Sequence, residues 1–322
     1  MSDTQSDDGV VSWLLGKDQP SIRYLALTEL LGKGSNDPEV KWTKERISKH
    51  GWAAKILSRR RPSGRWATDE SLWRPKYVAT FWILLVLSEL RVPRNAALIE
   101  SCELVLNKFA KDDGGFGYDS MRTSEMCITA NSFMLLSWFG FGEDPRVKSA
   151  LDWILNDQKE NGGWRCGWRR GIIDGWEPMA LFASIPKEKR TPRISRAIER
   201  GAEFYLDREL HREGKRYEPW YRFHYPVFYY YDILVGLDFM TKLGYGDDNR
   251  LMFGLELLKS KMRPDRRWGS DAVHPDLEGE IAELYSRRPP IPFALERVGR
   301  PSRMITLKAM SVLKRVDGLS IG

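Results

Sequence analysis

The chain has 322 residues, 42% of them hydrophobic and 30% charged, with a net charge of +7 and a pI near 9.2. A chain of that size can bury roughly three quarters of its unfolded surface, so a folded core is expected rather than a disordered segment. Three cysteines do not make a disulfide framework, and the longest apolar run, 77–87, is short of the ~20 residues that cross a bilayer. The basic balance is compatible with an anionic partner but brings no nucleic-acid signature with it.

The chain opens with an acidic, polar stretch, Met1-Ser-Asp-Thr-Gln-Ser-Asp-Asp, unlike a signal peptide. With reduced thiols this points to a soluble, cytoplasmic protein. Residues 1–19 read as a tail with a short helix at 10–15. A second helix, 21–31, ends at Gly32 as a C-cap glycine. Asp37-Pro38 opens a third that runs to about residue 60, since a proline at the first helical position needs no N–H partner.

From there a turn recurs: Ser63-Gly-Arg-Trp66, Asp113-Gly-Gly-Phe116, Gln158-Lys-Glu-Asn-Gly162-Gly-Trp164, Gly214-Lys-Arg-Tyr217 and Asp265-Arg-Arg-Trp268. Its aromatics are spaced by 50, 48, 53 and 51 residues, which marks a repeat architecture. An amphipathic helix precedes each turn. In 145–158 the apolar positions are Val147, Ala150, Leu151, Ile154 and Leu155; in 192–210 they run from Ile194 through Ala197, Ile198, Gly201 and Ala202 to Tyr205 and Leu206. One buried face each means an outer helix.

A more apolar helix follows each turn, at 76–90, 123–139, 175–185, 223–243 and 302–316, and must be covered on two sides or line a cavity. With 21–31 this gives six inner and about six outer helices. The expected fold is all-α, an (α/α)6 toroid forming one domain over 20–316, with 21–31 packed beside 302–316. An open superhelix of helical pairs is the structural alternative. The segment 269–301, carrying Pro275, Pro289, Pro290 and Pro292, breaks the period and reads as a flap over one end.

Gln158-x-x-x-Gly162-x-Trp164 resembles the repeat motif of squalene-hopene cyclases, and Gly114-Gly-Phe116 is similar to the turn of protein prenyltransferase β-subunits. Over 20–316 the chain resembles the prenyltransferase/squalene-oxidase repeat superfamily in a short form. The resemblance implies an aromatic-lined central cavity that opens near the N-terminal ends of the inner helices. The expected ligand is an apolar or isoprenoid small molecule, such as a diphosphate, with peripheral membrane contact left open. The Asp-x-Asp-Asp string of proton-driven cyclases is absent, and Glu125-Met-Cys127 is the nearest approach to the Asp-x-Cys zinc pair of the transferases. No cofactor is therefore required, with Zn or Mg left open; a zinc site would draw on Cys127, Cys166 and His224.

Among residues that could carry chemistry, Asp232 lies inside Tyr229-Tyr-Tyr-Asp232, two or three turns into the predicted helix 223–243 and too deep for a cap. A carboxyl desolvated among Tyr229 and Tyr231, with His224 near, would suit a general acid. Satisfaction by a tyrosine hydroxyl in the core is the plainer role. Trp82, Trp138, Trp176, Phe228 and Asn131 are the expected cavity lining, with Trp73 and Phe81 beside them. Arg165, Arg169 and Arg170, with Arg65, Arg216, Arg266 and Arg267, sit by the aromatic turns and would form a positive collar at the mouth. Three functions stay open: an isoprenoid cyclase or transferase, a non-catalytic module for an apolar ligand or protein partner, and a carbohydrate-active toroid using two carboxylates.

Overall fold

The computed structural model describes residues 4–165, 173–273 and 295–318, with side chains from residue 9. Among these residues every regular element is helical apart from isolated bridges such as Ala110 to Phe116. Six helices form the inner ring: α2 (Pro20–Leu25), α5 (Thr80–Glu89), α7 (Met126–Leu136), α9 (Glu177–Ser184), α11 (Ile233–Leu243) and α13 (Arg303–Asp317). The outer places go to α1 (Thr4–Leu14), the pair α3 (Pro38–Arg46) and α4 (Gly51–Leu57), α6 (Ala96–Phe109), α8 (Pro145–Asp157), α10 (Pro192–Leu206) and α12 (Met252–Ser260).

The ring closes. Helix α13 packs against α2 and against its continuation as a π-turn, Ala26–Leu30, and Lys314 Nζ donates to the Leu30 carbonyl at 2.5 Å. This is the neighbourhood expected for 21–31 and 302–316, and it removes the open superhelix. Helix α1, in the stretch read as a tail, buries Val10 and Leu14 in the common core. The guanidinium groups of Arg267 and Arg303 lie over its Trp13 ring at 4.3 and 5.3 Å.

In its three tryptophan copies the repeated turn has one physical job. The indole N–H donates to the carbonyl ten residues back, at the end of the preceding outer helix. Trp66 bonds Ile56 (2.9 Å), Trp164 bonds Ile154 (2.9 Å) and Trp268 bonds Leu258 (2.7 Å). Each bond satisfies a carbonyl that a helix end would otherwise leave open. The aromatic's own N–H is taken by an inner-helix threonine: Thr80 for Trp66, Thr129 for Phe116 and Thr306 for Trp268. In the 158–164 copy, Gln158 Nε2 donates to Gly162 (2.8 Å) and to Ala197 of the next outer helix (2.9 Å). Gly162 has φ +89°, and a Cβ there would stand 2.2 Å from the Arg200 carbonyl, so only glycine fits.

Two predicted boundaries move. The single helix over 37–60 ends at Arg46 and restarts at Gly51, whose φ of +68° no continuing α-helix can hold, with His50 at the N-cap position of α4. The helix over 223–243 begins only at Ile233. Pro226 has no N–H for a helical bond and pushes its predecessor out of the α region, and Phe228 has φ +51°. The flap read over 269–301 falls largely outside the described residues.

Candidate functional site

All six inner helices contribute to one central cavity of about 550 Å³. Its deep half is apolar, built from Leu25, Leu85, Val86, Trp176, Phe228 and Leu307. Lining residues that reach solvent cluster at the C-terminal ends of inner helices, at Glu29, Arg91, Ser137, Trp138, Ser184 and Lys242, with Ala180, Asp238 and Lys308 part-exposed further down the wall. Helices α2 and α7 both pass into π-turns there, Ala26–Leu30 and Ser137–Phe141, which swing Glu29, Ser137 and Trp138 to the rim. Such π-turns are frequent where a helix is reshaped around a site.

The floor is an aromatic plug at the N-terminal ends. Trp73 stacks on Tyr118 at 4.9 Å, Tyr77 meets Phe228 at 4.9 Å, and Trp82 meets Phe228 edge-on at 5.6 Å. The Tyr77 and Tyr229 hydroxyls are 2.8 Å apart, and Lys76 Nζ donates to Tyr229 at 2.8 Å. Tyr77 (φ +68°) and Phe228 (φ +51°) both hold left-handed backbone and touch each other. Non-glycine residues stay there only when packing over-determines them, a pattern of ligand-shaping surfaces.

One wall carries a charge network. Asp238, mid-way along α11, accepts from Lys242 Nζ and from Arg315 of α13, both at 2.7 Å. Burial pushes its carboxyl up, but Lys242, Arg315 and Lys308 outweigh that and hold it at about 2. Lys308 also lines the cavity, 5.8 Å from the Tyr225 ring. The wall thus offers a fixed anion with several cations around it, over an apolar well.

No protein-family model and no curated protein matches the chain. Among solved structures it is similar to a variant of the type II terpene cyclase MstE from Scytonema in complex with geranylgeranyl dihydroxybenzoate as substrate. The TM-score is 0.50 at 13% identity, over 98% of this chain and 97% of that one. The apo form of MstE (TM-score 0.49, 12% identity, 99% of each chain) and a protein from Actinoplanes (0.49, 13%, 98% of each) are also similar. The chain shares the all-α toroid fold of that cyclase.

Trp138, Trp176, Phe228 and Asn131 line the cavity. Trp82 does not; its Nε1 donates to the Trp73 carbonyl (2.8 Å) inside the plug, with Phe81 beside it. The mouth is also at the other end from that expected. Among the described residues the N-terminal ends are sealed by aromatic packing and the C-terminal ends are polar and open. Arg65, Arg165, Arg216, Arg266 and Arg267 ride on turns that feed the N-terminal ends, so they form no collar at the mouth, and none lines the cavity. Arg169 and Arg170 lie outside the described residues.

Asp232 is corrected most. It is the N-cap of α11, not an interior residue: Oδ1 accepts from Val235 N–H (2.9 Å), and Oδ2 lies 3.0 Å from His224 Nδ1 and 3.3 Å from the His224 backbone nitrogen. Both oxygens are engaged by protein, and the side chain is outside the cavity lining. Tyr231 faces away, donating to the Leu210 carbonyl (2.9 Å) over Gly236, where a Cβ would meet its hydroxyl at 2.3 Å. Tyr229 belongs to the plug, and its carbonyl accepts from Trp176 Nε1 (3.3 Å). The described residues do not fit zinc: Cys127 packs in the core, His224 is engaged with Asp232, and no three His, Cys, Asp or Glu side chains gather. Cys166 lies outside the described residues.

Sequence reading missed Glu29, Glu89, Arg91, Asp238, Lys242 and Lys308. A usable signal existed for Asp238, the acid set within the apolar run Ile-Leu-Val-Gly-Leu-Asp-Phe-Met of α11. A group outside the lining also stands out. Glu296 Oε1 accepts from the Met304 N–H (3.1 Å) at the start of α13, and burial raises its carboxyl to about 7.

With a folded value above the usual 4.5, the protonated form stabilises the protein fully below pH ~4.5, and that contribution is lost as pH rises through 7. Glu296→Gln should therefore be more stable than the parent by about 3 kcal/mol at pH 8, and the gain should largely vanish near pH 4.5. Urea titrations at the two pH values measure it; a gain independent of pH would show that the carboxyl is not the cause.

Proposed function

We propose that this protein holds an amphiphilic isoprenoid, its prenyl chain in the lumen and its polar, anionic head at the Arg91, Lys242 and Lys308 side of the rim. The observation that carries this is the cavity itself: a well shared by six helices, aromatic and apolar below, charged above. Its volume lies in the ~300–1,000 Å³ range of small-molecule sites. The fold shared with a cyclase that holds geranylgeranyl dihydroxybenzoate supports the same class of ligand. A carbohydrate cleft fits less well, because the deep surface has few hydrogen-bonding groups beyond Asn131.

Binding is favoured over alkene protonation by the state of Asp238, which is ionised across the physiological range and has no proton to give. A proton-driven cyclase is the second reading. Glu296 favours it, since its carboxyl retains a proton near neutrality and it bonds the backbone of Met304, whose side chain lines the well.

Ala180 and Ala183 give the test, because they face the lumen from α9. Calorimetric titration with geranylgeranyl dihydroxybenzoate should show saturable binding to the parent protein and at least a ~100-fold loss in Ala180→Phe, which fills the well. Circular dichroism should be unchanged. Parent protein that takes up no prenylated ligand overturns the proposal, as does full affinity in the filled variant.

A further inference from the structure

The net charge of this chain is concentrated in one place. Residues 41–61 hold eight lysines and arginines against a single glutamate, a net of +7. The whole chain carries 51 basic and 44 acidic residues, the same +7, so everything outside 41–61 balances. The geometry points to the outer wall formed by α3 and α4 as a docking face for an anionic phospholipid surface.

The wall is built for contact. Val40, Thr43 and Ile47 turn inward and are at most 1% exposed, which leaves Lys41, Trp42 and Lys44 facing solvent. Trp42 is 39% exposed, one of the few large hydrophobic side chains so placed. Arg46, Lys17 and Arg23 surround its ring at 4.6, 5.8 and 6.0 Å. Arg60 and Arg61 are neutralised by Glu100 and Asp69, but Lys41, Lys44, Lys49 and Lys55 are exposed and make no ion pair among the described residues.

Flexible lysines around an exposed tryptophan suit a lipid interface. The indole sits at headgroup depth, and each lysine contributes through the surface potential without a fixed partner geometry. A nucleic acid would instead use the aromatic face for stacking, and here Arg46 already lies over that face.

Co-sedimentation with vesicles tests the face. Full-length protein should bind phosphatidylcholine vesicles containing 30% phosphatidylserine and not pure phosphatidylcholine vesicles, and 0.5 M NaCl should release it. The triple variant Lys41→Gln, Lys44→Gln, Lys49→Gln should lose about 100-fold in affinity, from roughly 1 kcal/mol per lysine. Trp42→Ala should lose less, and both variants should keep the parent circular dichroism. Binding that the lysine variant retains, or that neutral vesicles match, overturns the assignment. So does binding to a single-stranded oligonucleotide without binding to vesicles. Ala180→Phe should still bind vesicles, which separates failure of this face from failure of the lumen proposal.

Discussion

Trp164→Ala should lower the stability of the toroid by about 4 kcal/mol, the range for truncating a fully buried tryptophan. Trp164 is 0% exposed and joins three helices at once. Its Nε1 closes the end of α8 through the Ile154 carbonyl, its ring meets Phe182 of inner α9 at 5.8 Å, and it packs on Gly201 of α10. A Cβ at Gly201 would already stand 3.1 Å from the indole, so the space is filled and cannot collapse cheaply. Trp164→Phe keeps most of the ring but leaves the carbonyl without its donor, and should cost about half as much. The urea midpoint of each variant checks this. Equal losses would mean that the ring burial phenylalanine retains contributes nothing, no loss in Trp164→Phe would mean that the indole N–H is idle, and a loss under about 1 kcal/mol for alanine would mean that the repeat turns do not hold the ring together.

Asp238→Asn should cost about 3 kcal/mol, because it strands Lys242 and Arg315 beside a neutral group on the cavity wall. The folded carboxyl, at about 2, lies below the usual 3.8. Its contribution is therefore present above pH ~4 and lost as pH falls through 2, which linkage puts at about 2 kcal/mol. The remainder comes from uncompensated cations. Arg315→Met added to Asp238→Asn should recover part of the loss, since one stranded charge goes with it. Denaturation across pH 2–7 decides the matter: the parent should lose stability in acid while the variant keeps a flatter profile. Parallel profiles would show that the network is solvated and energetically idle.

The architecture was legible in the sequence for a local reason. A turn must end a helix, cap its carbonyls and bring in an aromatic, and each need leaves a mark within about ten residues, as from Ile154 to Trp164. The stripe of α10, Ile194 to Leu206, is buried at every position read from spacing. Twofold burial of the apolar helices likewise fixed which belong to the inner ring.

The site was a matter of tertiary structure. Whether a helical residue faces lumen, neighbour or plug depends on its rotation in the ring, which apolar periodicity does not record when every face is apolar. Trp82 and Trp176 look alike in sequence; one is sealed behind Trp73 and the other lines the well. Asp232 and Asp238 sit six residues apart. Pro226 and the left-handed Phe228 delay α11 until Ile233, making Asp232 a cap and Asp238 the wall charge. The partners of Asp238 are separated by the whole ring closure: Lys242 is one turn away, but Arg315 arrives only when the last helix docks between α11 and α2.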